Sequence, residues 1–176
     1  MEQADILIPF VLSWEGGNVN NPDDKGGPTN MGVTLSTYSR YCRYKAYPRP
    51  TIERLQNLPM DTWHEIFKIF YWNVCRADEI ENQAIANLVV DWFWCSGKWA
   101  IKYTQQVLGV EPDGVVGPIT LAALNSMSPL PLFSSLWNRR ELHFKALAHR
   151  KGQGQFLKGW LNRLHSIRYH GLVNNE

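Results

Sequence analysis

The chain reads as a mainly α protein with one small glycine-rich hairpin or loop. Apolar residues recur at helical spacing through most of the 176 residues, and strand-like alternation is nearly absent outside a short stretch around Val33. A polar segment rich in Gly, Asn and Asp breaks the helical pattern between Gly16 and Thr34. In chain order, Ile6, Phe10, Val11 and Trp14, widened by Leu7 and Leu12, predict an amphipathic helix of about three turns. Gly16 is expected to supply the left-handed position that ends it. Thr34 caps a helix over Leu35 to Lys45, broken by Pro48 and Pro50, and Thr51 begins a short helix ending near Pro59. Trp63, Ile66, Phe67, Phe70 and Val74 form the clearest amphipathic face. Ile85, Leu88, Val89, Trp92 and Ser96 form another, stopped by Gly97, and Trp99 to Leu108 a third, stopped by Gly109. Pro118 suits the first turn of a helix running to about Asn125. Leu130 to Arg150 and Phe156 to His170 read as the two final helices.

The most chemically informative element is Trp14-Glu15-Gly16-Gly17. Glu15 falls in the last turn of the first helix, where exposed carbonyl groups form a negative dipole end that disfavours a carboxylate. Val11 and Leu12, one turn back, would partly desolvate it. Both effects are expected to push its pKa upward, towards the range of a general acid. Alone, a Glu at a helix end is ordinary.

The following loop, Asn20-Asn21-Pro22-Asp23-Asp24-Lys25-Gly26-Gly27, changes that reading. Its glycines, with Gly32, let the backbone turn sharply and approach a ligand. Glycoside hydrolysis needs two carboxyl groups facing each other across a sugar, one to protonate the leaving oxygen and one to serve the cationic ring or its water. Asp24 is the candidate second carboxylate, with Asp23 stabilising the turn. The same Asn-Pro-Asp-Asp run is also the chemistry of an Asx-turn.

Glu-Gly-Gly followed by Asn-x-Pro-x-Asp-x-Gly-Gly and Thr-x-x-Gly-Val-Thr resembles the signature of glycoside hydrolase family 108, bacterial and phage N-acetylmuramidases also called secretion-activating proteins. The resemblance implies that Glu15 is the catalytic acid, in a lysozyme-like helical fold. The implied substrate is the β-1,4 bond between N-acetylmuramic acid and N-acetylglucosamine in peptidoglycan. It continues through Gln105-Gln106-Val107-Leu108-Gly109-Val110, Asp113-Gly114-Val115-Val116-Gly117-Pro118 and Phe156-Leu157-Lys158-Gly159-Trp160-Leu161-Asn162-Arg163, which are similar to the peptidoglycan-binding region of these proteins. The expected organisation is a catalytic region over 1–93 and a peptidoglycan-binding helical region over 94–176, packed as one unit. Asp113, Asn162 and Arg163 are the expected polar contacts to the polymer.

Three departures stand out. Asn18 replaces an aromatic residue, Lys25 replaces a Pro, and Cys95 in Asp91-Trp92-Phe93-Trp94-Cys95-Ser96-Gly97 replaces an Asn. Asp91 in that stretch is a further candidate substrate contact. Phage-type lysozymes offer a looser parallel, in which a Glu, an Asp and a Thr surround a glycine-rich hairpin. Thr29 or Thr34 would then position water. The adjacent aromatics Tyr71 and Trp72 are candidates to line a cleft, against the commoner fate of core packing.

Composition narrows the alternatives. A net charge of +2 and a pI near 8.4 suit an anionic polymer but supply no basic arm or recognition face for nucleic acid. Eight Trp and seven Tyr are consistent with a glycan cleft, since sugars pack their apolar faces on aromatic rings. The most apolar stretch, Ala86 to Cys95, is short and interrupted by Asp91, so membrane insertion is not expected. Residues 1 to 5 carry two acids and no basic group, unlike a secretory signal, so the expectation is cytoplasmic synthesis with export by another, holin-like route to the wall or periplasm. Cys42, Cys75 and Cys95 lack metal or redox spacing and read as small buried apolar residues. His143-x5-His149 and His165-x4-His170 lack zinc-ligand spacing, so neither metal nor cofactor is expected. The expected function is peptidoglycan hydrolysis by carboxyl acid catalysis. The alternative is a non-hydrolytic peptidoglycan-binding or secretion-linked regulatory protein.

Overall fold

The computed structural model describes residues 3–17 and 27–175. Helix α1 (Ala4–Trp14) leads to a minimal hairpin, β1 (Thr29–Asn30) and β2 (Val33–Thr34), paired antiparallel with Thr29 opposite Thr34. Then follow α2 (Leu35–Tyr44), α3 (Ile52–Gln56) and α4 (Met60–Phe67), the last continuing into a π-helical turn over Lys68–Trp72. A 3-10 turn at Ala77–Glu79 precedes α5 (Gln83–Ser96), α6 (Lys98–Leu108), α7 (Pro118–Ser126) and α8 (Pro129–Ala148). A second 3-10 turn at Gly154–Phe156 leads into α9 (Leu157–His165), and β3 (Ile167–Arg168) with β4 (Gly171–Leu172) closes the chain. The mainly α, lysozyme-like reading holds.

Helix starts follow local chemistry. The hydroxyl of Thr34 accepts from the Thr37 amide at 3.1 Å, that of Thr51 from Arg54 at 3.2 Å, and the Asn82 side-chain oxygen from Ile85 at 3.1 Å. Each satisfies an amide that has no partner in the first turn. Gly97 and Gly109 end α5 and α6 at positive φ, as expected. Gly16 does not play that part, because the chain leaves α1 through Glu15 itself, in an extended conformation.

Two registers differ from simple helical spacing. Trp63, Ile66, Phe67 and Phe70 are buried, but Val74 is exposed and Cys75 takes the inward position. The π turn explains the slip: its wider i→i+5 closure, seen in the Asn73 amide donating to the Lys68 carbonyl at 2.9 Å, adds one residue to the turn. The last helix stops at His165 instead of His170, since Ser166 to Val173 fold back as a hairpin whose Ile167 is buried.

Helix α5 forms the centre. All eight residues from Ile85 to Trp92 are buried, so the expected amphipathic stripe is a fully enclosed helix. It packs against α1, α6, α8, the π turn and β3, and one continuous apolar cluster runs from Ala4 to Ile167 across both halves. Among the described residues, no helix is long and apolar enough to cross a membrane. The small hairpin is tied to this core. Asn30 donates to the final α3 carbonyls of Leu55 and Gln56 at 3.0 and 3.1 Å, and the Trp63 indole donates to the Met31 carbonyl at 2.9 Å. Gly32, at the tip, is thereby pressed towards the end of α1.

Candidate active site

Glu15 sits where α1 ends. Its extended backbone turns the side chain away from the helix axis, and its amide closes the last turn on the Leu12 carbonyl. Oε1 accepts two hydrogen bonds, one from the Trp94 indole at 2.7 Å and one from Arg163 Nη1 at 2.8 Å. Oε2 lies against Gly32, where a β-carbon would come within 2.5 Å of it. Gly32 adopts φ +76°, so the position demands glycine both for its backbone and for its lack of side chain. Glu15 is therefore not a last-turn residue set beside Val11 and Leu12, as foreseen, but an extended residue just past the helix whose carboxyl meets two N–H donors from distant elements.

Each donor is itself fixed. The Trp94 ring lies 4.5 Å from Tyr71 and 5.6 Å from both Trp63 and Phe67, centre to centre, which sets its plane. Arg163 grips Asp91 with two nitrogens, Nη2 at 2.7 Å and Nε at 3.1 Å from Oδ1. Asp91 is fully buried and also accepts from Arg140 Nη2 at 2.7 Å. Burial opposes its charge, but Arg163 and Arg140 outweigh burial and hold its pKa below the usual carboxylate range. The same pairing keeps Arg163 charged despite its own burial. The result is a cluster of two carboxyl groups and two guanidiniums drawn from the residue just past α1 and from α5, α8 and α9.

In front of Glu15 opens a cleft of about 480 Å³, lined among others by Trp14, Gly32, Trp94, Trp160 and Arg163. Among its described lining residues Glu15 is the one acid. An acid flanked by indole rings suits a pyranose, whose apolar face stacks on aromatics while its oxygens meet polar groups.

The other expected site residues disperse. Asp24, with Asn18 and Lys25, lies outside the described residues. Thr29 is half-buried in β1, and the Thr34 hydroxyl is committed to capping α2. Tyr71 backs Trp94, and burial raises its pKa, only partly offset by its hydrogen bond to Thr37 and the charge of Arg40. Trp72 is a correction: it is completely buried, its indole bonded to Asp78 at 2.8 Å, and it offers no face to a polymer. Asp91 is likewise too deeply buried to touch substrate and instead holds Arg163. Asp113 is committed to its own turn, accepting from Gln105 at 2.7 Å and the Val115 amide at 2.8 Å. Asn162 is exposed on α9. Arg163, expected on a separate polymer-binding surface, is found at Glu15. Cys95 is exposed as a residue, contrary to expectation, while Cys42 and Cys75 are buried; all three are free thiols.

Sequence reasoning missed Trp94, Trp160 and Arg140 as site residues, and it read Gly32 as a close approach to ligand, whereas Gly32 packs on Glu15 and Trp94. Asp91, Trp94 and Cys95 follow i, i+3, i+4 spacing and therefore share one helix face, a signal the motif contained. Arg140 carried no local signal.

Residues 8–97 match the family described as Glycosyl hydrolase 108, and residues 99–165 match the one described as Predicted Peptidoglycan domain. Among solved structures, one titled "Structure of Brucella abortus SagA" is similar at 30% sequence identity and a TM-score of 0.79, covering 99% of this chain and 95% of that one. No curated protein sequence matches.

Proposed function

The chain belongs to the Glycosyl hydrolase 108 family and is a glycoside hydrolase acting on peptidoglycan, and from that premise we propose that it is an N-acetylmuramidase using Glu15 as its general acid. The bond cleaved is the β-1,4 link between N-acetylmuramic acid and N-acetylglucosamine. The observation that carries this reading is the asymmetric dress of Glu15: Oε1 takes two N–H donors, Trp94 and Arg163, which leaves Oε2 as the oxygen through which a proton would be delivered. When that proton passes to the bridging oxygen, the charge left on the carboxylate meets Trp94 and Arg163 already in place. Donors aimed at charge that develops during reaction accelerate it without reorganising.

Asp24 is assigned as the second carboxylate, orienting water or stabilising the oxocarbenium-like sugar. Its support is chemical, the need for a second acid, together with its place in the sequence between Glu15 and the hairpin. Trp14, Trp94 and Trp160 supply stacking surface, and Thr29 is assigned as the threonine that positions water. We assign 1–93 as the catalytic region and 94–176 as the polymer-gripping region, with Asn162 as an exposed contact. The site of action is the wall.

Glu15→Gln keeps the shape and removes the proton donor. Clearing of purified sacculi should slow on the order of 100-fold to 10,000-fold, the usual contribution of general acid catalysis. Undiminished clearing by a folded Glu15→Gln protein would remove Glu15 from the role. Wild-type protein that sediments with sacculi yet releases nothing would leave a binding protein in place of an enzyme.

A further inference from the structure

The structure assigns Arg163 as the residue that positions Glu15, so that the region matching a peptidoglycan-binding domain also completes the catalytic centre. This rests on Glu15 being the general acid.

Three features carry it. First, Arg163 spans two carboxylates, with Nη1 at 2.8 Å from Glu15 Oε1 and Nη2 at 2.7 Å from Asp91 Oδ1. Its side chain is only 11% exposed and that of Glu15 16%, so water screens this contact weakly. Second, the guanidinium cannot swing away from Glu15 without abandoning Asp91, and Asp91 is held from its other side by Arg140 at 2.7 Å. A planar fork gripping one acid projects its remaining N–H in a fixed direction, a geometry an ammonium group lacks. Third, the partners come from separate parts of the chain. Glu15 and Asp91 lie within the 8–97 match, whereas Arg140 and Arg163 lie within the 99–165 match.

A module serving only to grip wall polymer needs no buried arginine facing inward at the acid of its neighbour. Arg163 lines the same cleft as Glu15, and jointly with Trp94 it holds Oε1. Loss of Arg163 frees the Glu15 side chain to rotate and removes one of the donors that meet the developing carboxylate.

The test uses full-length protein, with soluble peptidoglycan fragments for kinetics, sacculi for sedimentation, and Arg163→Gln, Arg163→Lys, Arg163→Ala and Glu15→Gln beside wild type. Arg163→Gln is expected to lower kcat on the order of 100-fold, the size of effect seen when one preorganised donor is removed. KM and sedimentation with sacculi should stay within about twofold, because binding contacts remain. Arg163→Lys should recover part of that kcat, as it retains the charge facing Asp91 and Glu15. Folding of each variant is read by thermal melting, and addition of guanidinium ion to Arg163→Ala should restore activity by refilling the vacated space. Wild-type kcat in a folded Arg163→Gln protein overturns the assignment while leaving Glu15 as the acid. So does a loss that falls on KM and sedimentation with kcat unchanged. If Glu15→Gln itself retains wild-type activity, the reading of Glu15 fails and this inference with it.

Discussion

A methyl group at position 32 would lie 2.5 Å from Glu15 Oε2 and 2.6 Å from Trp94 Cζ2, on a backbone at φ +76°. Gly32→Ala therefore combines strain of about 1–2 kcal/mol from the left-handed conformation with displacement of the acid. The expected result is a modest drop in melting temperature and a fall in rate on the order of 100-fold, the scale of loss from misplacing a reacting group by about 1 Å. Melting and kinetics on the same sample check both. His143 offers a pH prediction. Burial, reinforced by Arg139 and Arg140, pulls its pKa from 6.5 down to about 4, and its Nδ1 accepts from the Trp92 indole at 3.2 Å, which requires the neutral ring. The unfolded chain protonates first as pH falls, so this contribution is complete above about pH 6.5 and is lost towards pH 4. In His143→Gln, the decline of melting temperature across that window should flatten. Glu15 was legible in sequence because a helix ending at Glu-Gly-Gly is a local pattern. Arg163 was legible only as a polar residue, since its partner lies 148 positions away and no spacing encodes that contact.

At the level of elements, starts and stops were the legible part. Thr34, Thr51, Asn82, Gly97 and Gly109 act within one turn of themselves, so their sequence neighbourhood determines their role. The π turn was hidden because it depends on how Phe70 and Trp72 fit the core, and the closing hairpin was hidden because its two-residue strands show no alternation. The Thr34 cap separates two roles for that residue. Thr34→Ala should destabilise by about 1 kcal/mol through loss of the cap, seen as a melting shift of roughly 2–4 °C. KM for peptidoglycan fragments should hold, and Thr34→Ser should restore stability. A raised KM with unchanged melting would instead make Thr34 a substrate contact.

Across the whole molecule, Asp91 fastens α5 to α8 and α9 through two guanidiniums in the core. Removing the carboxylate strands the buried charge of Arg140 and leaves Arg163 with Glu15 alone, so Asp91→Ala should destabilise by about 3–5 kcal/mol, measured by denaturant unfolding. Its lowered pKa makes this contribution complete above the ordinary carboxylate range, and it is lost as pH falls through the folded-state value. One apolar cluster has members from both halves of the chain, but nothing in the sequence implied that the acid's partners would come from the second half. The measurement that tests the account most directly is the identity of the new reducing ends released from sacculi, read by borohydride reduction and mass spectrometry for wild type and Glu15→Gln together. The account predicts reduced N-acetylmuramic acid from wild type and almost none from the variant. Reduced N-acetylglucosamine, or equal yields from both proteins, would contradict it.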